Sequence, residues 1–305
     1  MAGVLDPRRV DCPLCGPRAA RPWTRDRGFT VVRCAGCGLR ITWPPPDAAT
    51  LAAAYAGDYY EARDMGPLPD GAAAERARGI LGRAGMVPTR VLDFGAGQGE
   101  LVRSFRALGI EADGVEPGPG GRAQARALHG IDLHESTATL PARAYDCVTL
   151  VHSLEHVPQP VETLRALRPL LAPGGLVFVE VPHAGSVVRL RGARRSAVLD
   201  LPVHLYHFEP ETLAAVAHCA GFAVKDVVLT NPDLLEWALG LRHRWQQRGQ
   251  TEPAAAPSAP AAFHPGPPPP RPSGLWAAGL LPWIRRRFPG WKFQALLRPL
   301  DDARD

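Results

Sequence analysis

Three glycines in five residues constrain the fold of this chain more than any other feature of its sequence. They lie at positions 95, 97 and 99 of the segment 91–101, which reads VLDFGAGQGEL. A short apolar run that ends in an acid, followed by glycines and an amphipathic pattern, predicts a strand, a tight turn and a helix. Because glycine permits positive φ and a close approach of the main chain, the turn is expected to face a ligand.

The glycine spacing separates two kinds of ligand site. A dinucleotide site requires Gly-x-Gly-x-x-Gly, whereas Glu100 stands where that pattern places its last glycine. The segment instead resembles motif I of the class I S-adenosylmethionine (SAM)-dependent methyltransferases. The resemblance implies that Gly95 and Gly97 lie under the amino-acid part of SAM and that Asp93 helps to hold it.

A second predicted strand, 110–116, ends in Glu116, seventeen residues after the last glycine of the loop. This spacing is close to that at which an acid reaches a ribose diol, and a carboxylate accepts hydrogen bonds from both hydroxyls. We therefore expect Glu116 to bind the SAM ribose. After a third predicted strand near 131–134, the resemblance aligns Ser136 with the position that contacts adenine in many relatives, and Glu135 lies beside it.

Strands and helices are expected to alternate from residue 91 to about residue 230. Segment 145–151 is largely apolar, as a buried parallel strand should be, and 176–182 has the same character. Between them, a helical pattern over 161–171 is expected to stop at the Pro-Gly-Gly of 173–175. The alternation predicts an α/β protein with a doubly wound, Rossmann-like sheet.

The second strong signal consists of two Cys-x-x-Cys pairs separated by eighteen residues. The four residues are Cys12, Cys15, Cys34 and Cys37. Four thiolates at this spacing are typical of a closed, tetrahedral, structural zinc site. Disulfides are the alternative, but no secretory signal is apparent and a reducing cytoplasm is the expected location. We predict a zinc ribbon over 10–42 and inert core positions for Cys147 and Cys219.

Two histidines are candidates for a catalytic base, since imidazole titrates near working pH. His152 follows the fourth predicted strand at the edge where α/β sheets bind ligands. His204 lies in a segment similar to the His-Leu-x-x-Phe of the sugar C-methyltransferases, whose histidine is the proposed base. A buried structural histidine is an equal alternative for both, and it is favoured for His156 and His207.

The segment 152–156, HSLEH, allows a second interpretation. It resembles the Glu-x-x-Glu-His through which a group of quinone O-methyltransferases binds a divalent ion, with His152 in place of the first acid. The same residues also match a metalloprotease motif, but that interpretation is disfavoured. The motif requires one continuous helix, and Pro158 and Pro160, which follow directly, would interrupt it.

Composition divides the chain further. The predicted parts are a zinc ribbon (1–45), a helical lid or linker (46–88), a SAM-binding domain (89–248), a Pro-rich linker (249–274) and a basic, aromatic C-terminal segment (275–305). The resemblance implies that Tyr59 of the lid lies against SAM, with simple packing as an equal alternative. We expect the C-terminal segment to dock on its own domain or on a partner rather than on an anionic membrane surface. Pro282 and Pro289 interrupt any long amphipathic helix, which disfavours membrane binding.

The expected function is SAM-dependent methyl transfer to a small-molecule acceptor. The block from LEHV to PGG, 154–175, resembles the small-molecule subgroup, so a sugar or secondary-metabolite intermediate methylated on carbon or oxygen is predicted. The alternatives are an RNA methyltransferase that grips phosphates with ribbon arginines, and a SAM-binding partner protein without catalysis. A net charge of +5 over 305 residues is modest, which disfavours a nucleic-acid partner. No apolar run approaches the roughly twenty residues of a membrane span.

Overall fold

The computed structural model describes residues 8–55, 70–189, 198–230 and 292–300. The strands in these ranges are β1 (Arg9–Cys12), β2 (Gly16–Asp26), β3 (Phe29–Cys34), β4 (Arg40–Trp43), β5 (Arg90–Phe94), β6 (Glu111–Val115), β7 (Tyr145–Val151), β8 (Leu171–Pro182), β9 (Tyr206–His207), β10 (Phe222–Thr230) and β11 (Lys292–Pro299). The helices are α1 (Ala48–Tyr55), α2 (Asp70–Ala84), α3 (Glu100–Ala107), α4 (Pro119–His129), α5 (Pro160–Leu167) and α6 (Pro210–Cys219). Short 3₁₀ turns are Thr137–Thr139, Leu154–His156, Arg168–Leu170 and Ala184–Arg189.

The larger sheet confirms the predicted α/β class and its doubly wound topology. Its strand order is β10-β11-β8-β7-β5-β6, and the neighbours from β8 to β6 run parallel. Leu92, Val148 and Val177, on the three central strands, are fully buried, as strands covered on both faces require. Because β6 lies on one side of β5 and β7 on the other, the chain reverses its winding at β5. Open α/β sheets bind ligands outside the carboxyl ends of the strands at such a point.

Two predicted boundaries in this sheet were wrong. The third strand near 131–134 is only a single parallel bridge between Val115 and His134. The helix expected over 161–171 ends at Leu167 and passes into the 3₁₀ turn Arg168–Leu170, because Pro169 has no N–H to continue the helical hydrogen bonds. The Pro-Gly-Gly of 173–175 therefore lies inside β8 and does not end the helix.

Residues 292–299 of the predicted C-terminal segment belong to the larger sheet. These residues form β11, which is inserted antiparallel between β8 and β10. Phe293, Ala295 and Leu297 alternate along the strand and are fully buried in the core on one face, and Leu296 is buried on the other face. Residues 249–274 and 275–291 lie outside the described residues, so the linker and membrane-surface predictions stay predictions.

The smaller sheet joins the ribbon to the larger domain. Its order is β1-β2-β3-β4-β9, and β9 comes from the segment before α6, far along the chain. Ile41 pairs with Tyr206 and Arg40 with His207 in an antiparallel ladder. Buried ribbon residues such as Val32 share one apolar cluster with the core of the larger sheet. Within the described ranges, no helix combines the length and apolarity needed to cross a membrane.

Candidate functional site

The loop after β5 presents main chain to the carboxyl edge of the sheet. Gly95, Gly97 and Gly99 have φ values of 79°, 54° and 81°, in the left-handed region that favours glycine. A Cβ added to Gly95 would lie 2.7 Å from the Cβ of Ser153, so only glycine lets this loop approach the segment after β7. The two loops on either side of the switch point are therefore in contact, as a ligand site there requires.

Asp93 lies at the end of β5 and is 3% exposed. Burial raises the pKa of its carboxyl to about 6, although a 2.6 Å hydrogen bond from Thr149 Oγ1 and the charge of Arg76 oppose the shift. A buried carboxylate of this kind gains stability when a cationic group comes close. The ammonium and sulfonium groups of SAM are such groups, so Asp93 fits the predicted role.

Glu116 follows β6 and ties the glycine loop to the next turn. Its Oε2 accepts a hydrogen bond from Gly97 N at 2.9 Å, and its Oε1 accepts one from Gly118 N at 2.7 Å. Burial raises the pKa of the Glu116 carboxyl, and these two hydrogen bonds partly oppose the shift. Each oxygen retains a second acceptor position, so the carboxylate fits a ribose diol.

The described contacts do not test two of the predicted cofactor contacts, those of Ser136 and Tyr59. Ser136 is exposed, and its hydroxyl accepts a 3.4 Å hydrogen bond from Ala138 N at the start of a 3₁₀ turn. Glu135 is also exposed and lies 3.4 Å from Arg122 Nη2. The adenine contact of Ser136 stays a prediction. Tyr59 lies outside the described residues, so its lid role stays a prediction as well.

His152 stands directly after β7 in a left-handed conformation, with φ of 53°. Its Nδ1 is 3.4 Å from Glu155 Oε1, and its Nε2 is 3.3 Å from Glu180 Oε1. Burial would lower the pKa of His152, but the contacts with the two carboxylates outweigh it and raise the pKa above its ordinary value. The ring thus lies between two carboxylates, and 31% of its side chain is exposed.

Glu180 holds this arrangement together, although the sequence analysis did not single it out. Its Oε1 accepts hydrogen bonds from Arg76 Nη2 and Lys292 Nζ, both at 3.0 Å, and its Oε2 accepts one from Gln294 Nε2 at 2.6 Å. Burial alone would raise the pKa of this carboxyl, but His152 and the two cations hold it well below its ordinary value. The available signal was an acid inside the apolar run of 176–182.

His204 is 5% exposed and lies in the segment between β8 and α6. Its Nδ1 is 3.1 Å from the carbonyl oxygen of Val198, and a carbonyl only accepts, so Nδ1 carries the proton. The basic nitrogen is therefore Nε2, which lies 3.7 Å from Asp200 Oδ2 and 3.9 Å from Glu155 Oε1. The ring also packs edge-on against His156, with centroids 4.6 Å apart.

Glu155 lies between the two candidate histidines and is 1% exposed. Neither of its carboxylate oxygens has an aligned hydrogen-bond donor among the described residues. A nearby positive charge stabilises a buried carboxylate, and a protonated His152 would supply one. Ligand atoms of Glu155, His156 and His204 also lie within 4.8 Å of one another, a carboxylate and imidazole set compatible with a divalent cation. The sequence analysis considered Glu155 only through the ion-binding resemblance.

The four ribbon cysteines form one cluster. All four Sγ atoms lie within 4.8 Å of one another, and Cys12 Sγ is 3.5 Å from Cys37 Sγ. Tetrahedral zinc with 2.3 Å Zn–S bonds separates its sulfurs by about 3.8 Å, so the donor set fits zinc. Gly16 and Gly38, which follow the pairs, have positive φ of 65° and 80°.

The two remaining cysteines differ from each other. All six cysteines of the chain fall in described residues and are free thiols. Cys147 is buried in β7, as predicted, and burial raises the pKa of its thiol to about 12. Cys219 is exposed, contrary to the prediction. The buried stripe of α6 runs through Leu213, Val216 and Ala217, and position 219 lies off that stripe.

Comparison with known proteins agrees with this geometry. Residues 63–227 match the family described as "Methyltransferase domain". The chain belongs to this family, and the prediction of a SAM-dependent methyltransferase is confirmed.

Individual relatives lie within the same class. The chain is 31% identical over 181 residues to a ubiquinone biosynthesis O-methyltransferase of Pseudomonas aeruginosa, covering 54% of this chain and 75% of that protein. It is 28% identical over 186 residues to the protein of the same name from Aeromonas salmonicida, covering 56% and 76%. A solved SAM-dependent methyltransferase from Archaeoglobus fulgidus shares 18% identity at a TM-score of 0.48, over 79% of this chain and 99% of that one.

Proposed function

We propose that this protein transfers the methyl group of SAM to a hydroxyl oxygen of a small-molecule acceptor. The observation that carries the proposal is the cluster of His152, Glu155 and His204 beside the glycine loop. The names of the relatives, which are O-methyltransferases, support oxygen as the accepting atom. A sugar hydroxyl remains within the proposal, as does the hydroxyl of another secondary-metabolite intermediate.

The cofactor end of the site is proposed to consist of Asp93, the glycine loop and Glu116. When bound, SAM supplies an activated methyl group that needs no covalent help from the protein. Asp93 balances the positive charge of the ligand, and Gly95 and Gly97 let it lie against the main chain. Glu116 accepts hydrogen bonds from the ribose. Ser136 is proposed to contact the adenine, and Tyr59 is proposed to contact SAM from the lid.

At the acceptor end, His204 is proposed to remove the hydroxyl proton. Its Nδ1–H is fixed on the Val198 carbonyl, so Nε2 can accept a proton without rotation of the ring. In this step the acceptor O–H bond would break, its proton would move to Nε2, and the oxygen would use its electron pair to form the new O–C bond. The methyl–sulfur bond would break at the same time, with its electron pair left on the sulfur of S-adenosylhomocysteine. Glu155 and Asp200 then stabilise the imidazolium, since their carboxylates lie within 3.9 Å of that nitrogen.

Charged side chains surround the cluster. Among the described residues, the carboxylates of Glu155, Glu180 and Asp200 lie beside the two histidines. Arg76 and Lys292 contact Glu180, and Arg27 lies 3.8 Å from Asp200. The proposed reaction requires His204 to be neutral before it accepts the proton. His152 is proposed to fix the charge of Glu155 and to line the acceptor site with its exposed edge.

Zinc is proposed to bind Cys12, Cys15, Cys34 and Cys37 as a structural ion. Four thiolates leave no open position, so the ion would supply no chemistry to the methyl transfer. Its proposed role is to hold the ribbon turns in place.

The proposal is tested with purified protein, SAM carrying a tritiated methyl group, and three probes: catechol, dTDP-glucose and total RNA. We expect label in a hydroxylated small molecule, with the product identified as a methyl ether by mass spectrometry. His204→Ala should lower the rate by about a hundredfold or more. His218→Ala, an exposed histidine at the end of α6, is the matched control and should retain the wild-type rate.

Two results would oppose this function. Transfer of label to RNA alone would favour the nucleic-acid alternative. Binding of S-adenosylhomocysteine (SAH) with no transfer to any probe, with or without added magnesium, would favour the non-catalytic alternative. Native mass spectrometry of the same sample should show one zinc and one cofactor mass per chain, with the cofactor lost in Asp93→Ala.

A further inference from the structure

We infer that the zinc ribbon forms part of the acceptor end of the site, with Thr42 as a positioning residue for His204. The inference rests on the role proposed above for His204 and gives the ribbon a part in that same site. Thr42 belongs to ribbon strand β4, whereas His204 lies 162 residues later in the chain.

Three hydrogen bonds join Thr42 to the segment that carries His204. Thr42 N donates to Leu205 O at 3.0 Å, and Thr42 Oγ1 donates to His204 O at 2.6 Å. Thr42 Oγ1 also lies 3.0 Å from His207 Nε2. Thr42 is 1% exposed, so water does not compete for these bonds. One ribbon residue thus fixes both the main chain at His204 and the ring of His207.

The hydrogen count at Thr42 defines the state of His207. A hydroxyl has one hydrogen, and a carbonyl only accepts, so that hydrogen goes to His204 O. His207 Nε2 must therefore be the donor to Thr42 Oγ1. Burial keeps the pKa of His207 well below its ordinary value, and the nearby Arg40 guanidinium adds to this shift, in agreement with a neutral ring.

The loop after β7 holds the opposite side of the segment that carries His204. Leu205 N donates to Glu155 O at 2.8 Å, and the Tyr206 hydroxyl donates to Pro158 O at 2.8 Å. His204 is thus clamped between β4 of the ribbon and the loop that carries Glu155. A shift of β4 would change the distance between His204 Nε2 and Glu155, which is the pair proposed to handle the proton.

A second ribbon residue supports the same junction. Arg40 Nη1 lies 3.0 Å from Glu209 Oε2, at the residue before α6. The Arg40 guanidinium also stacks over the Trp23 ring, with its carbon 4.4 Å from the ring centroid. The junction therefore has a fixed lateral position as well as a fixed hydrogen-bond register.

The test compares Thr42→Val, which removes the hydroxyl, with Thr42→Ser, which retains it. Thr30→Val, on the neighbouring ribbon strand, is the matched control for the same chemical change. Zinc content and SAH affinity are measured for each variant to show that the ribbon and the cofactor end are intact. The two positional readouts are amide hydrogen exchange over 204–208 and the imidazole nitrogen NMR spectrum, which identifies the protonated nitrogen of His207.

We expect Thr42→Val to exchange at least about tenfold faster over 204–208, because buried partners lose their hydrogen bond. Its kcat on the methyl acceptor should fall by about tenfold or more, with KM and SAH affinity within about twofold of wild type. Thr42→Ser and Thr30→Val should resemble wild type. In the wild-type protein, His207 should carry its proton on Nε2.

The inference is overturned if exchange over 204–208 is unchanged in Thr42→Val, if Thr42→Ser behaves like Thr42→Val, or if wild-type His207 is protonated on Nδ1. The last measurement needs no variant, so a folding failure of Thr42→Val does not remove the test. If the wild-type protein transfers no methyl group to any acceptor, the proposed function fails by itself. The exchange and NMR readouts still decide the positioning.

Discussion

The two ends of the candidate site are built in different ways. At the cofactor end, Asp93, the glycine loop and Glu116 belong to two consecutive strand–helix turns, and Glu116 is hydrogen-bonded to Gly97, only 19 positions away. At the acceptor end, the cluster around His204 is assembled from the ribbon, the loop after β7 and strand β11. A local motif can therefore specify the first end, whereas only the whole fold specifies the second.

Removal of zinc should separate the two ends most strongly. Structural zinc sites contribute an apparent 10–16 kcal/mol to folding of small domains, on the order of the whole stability of the ribbon. In a Cys34→Ser, Cys37→Ser variant, we expect zinc to be lost and methyl transfer to fall by about a hundredfold or more, because β4 no longer holds His204.

The same variant should retain measurable SAH binding, since the contacts of β4 described above lead to the segment 204–209. Zinc analysis and SAH calorimetry check this pair of outcomes. Equal loss of cofactor binding and turnover would show that the two ends depend on one another.

A clash at the junction of the two ends should have the next largest effect. Gly95→Ala and Gly109→Ala both place a side chain at positive φ, which costs about 1–2 kcal/mol of folding free energy. Only at Gly95 does the new Cβ meet a neighbour, Ser153, because the space around Gly109 is open within 4 Å.

We therefore expect Gly95→Ala to lose more stability than Gly109→Ala in urea unfolding and, unlike it, to lose SAH binding. Equal behaviour of the two variants would mean that the loop moves freely away from Ser153.

Glu116→Gln should weaken the cofactor end alone. A hydrogen bond to a charged group contributes about 1.5–3 kcal/mol, so SAH affinity should fall at least about tenfold. Glu135→Gln is the control, because that carboxyl is exposed and sits on the next turn. SAH calorimetry of both variants decides the matter, and a loss confined to Glu135→Gln would move the ribose contact to that residue.

The smallest predicted effect is a pH dependence at Asp93. The pKa of this carboxyl is raised from 3.8 to about 6, so the protonated form predominates below about pH 6 and cannot balance a cation. SAM affinity should therefore weaken as pH falls through about 6. Because the folded state holds the proton more tightly, this group also makes the free energy of unfolding decrease as pH rises from about 4 to about 6.

Asp93→Asn should remove both slopes, and calorimetry and urea unfolding across this pH range measure them. Persistence of both slopes in the variant would assign them to another group.

The extent of sequence-based prediction follows the same division. The acids at the ends of β5 and β6 could be placed because parallel strands bring their carboxyl ends to one edge, and the glycines marked where the chain turns. The cysteine spacing likewise predicted a compact thiol cluster. The role of Thr42 could not be found, and Glu180 was marked only as an acid inside an apolar run, because the partners of both are set by the pairing of β4 with β9 and of β8 with β11. The pairing of strands distant in sequence leaves no local pattern.

Strand β11 is also synthesised late, so the parts of the site are completed in a fixed order during translation. Glu180 accepts hydrogen bonds from Lys292 and Gln294, which lie 112 and 114 positions further along the chain. Until those residues have left the ribosome, β8 has an open edge that can pair with other chains, and the carboxylate beside His152 lacks two of its donors. A nascent chain can thus complete its cofactor turns long before it can balance the charges of its acceptor end.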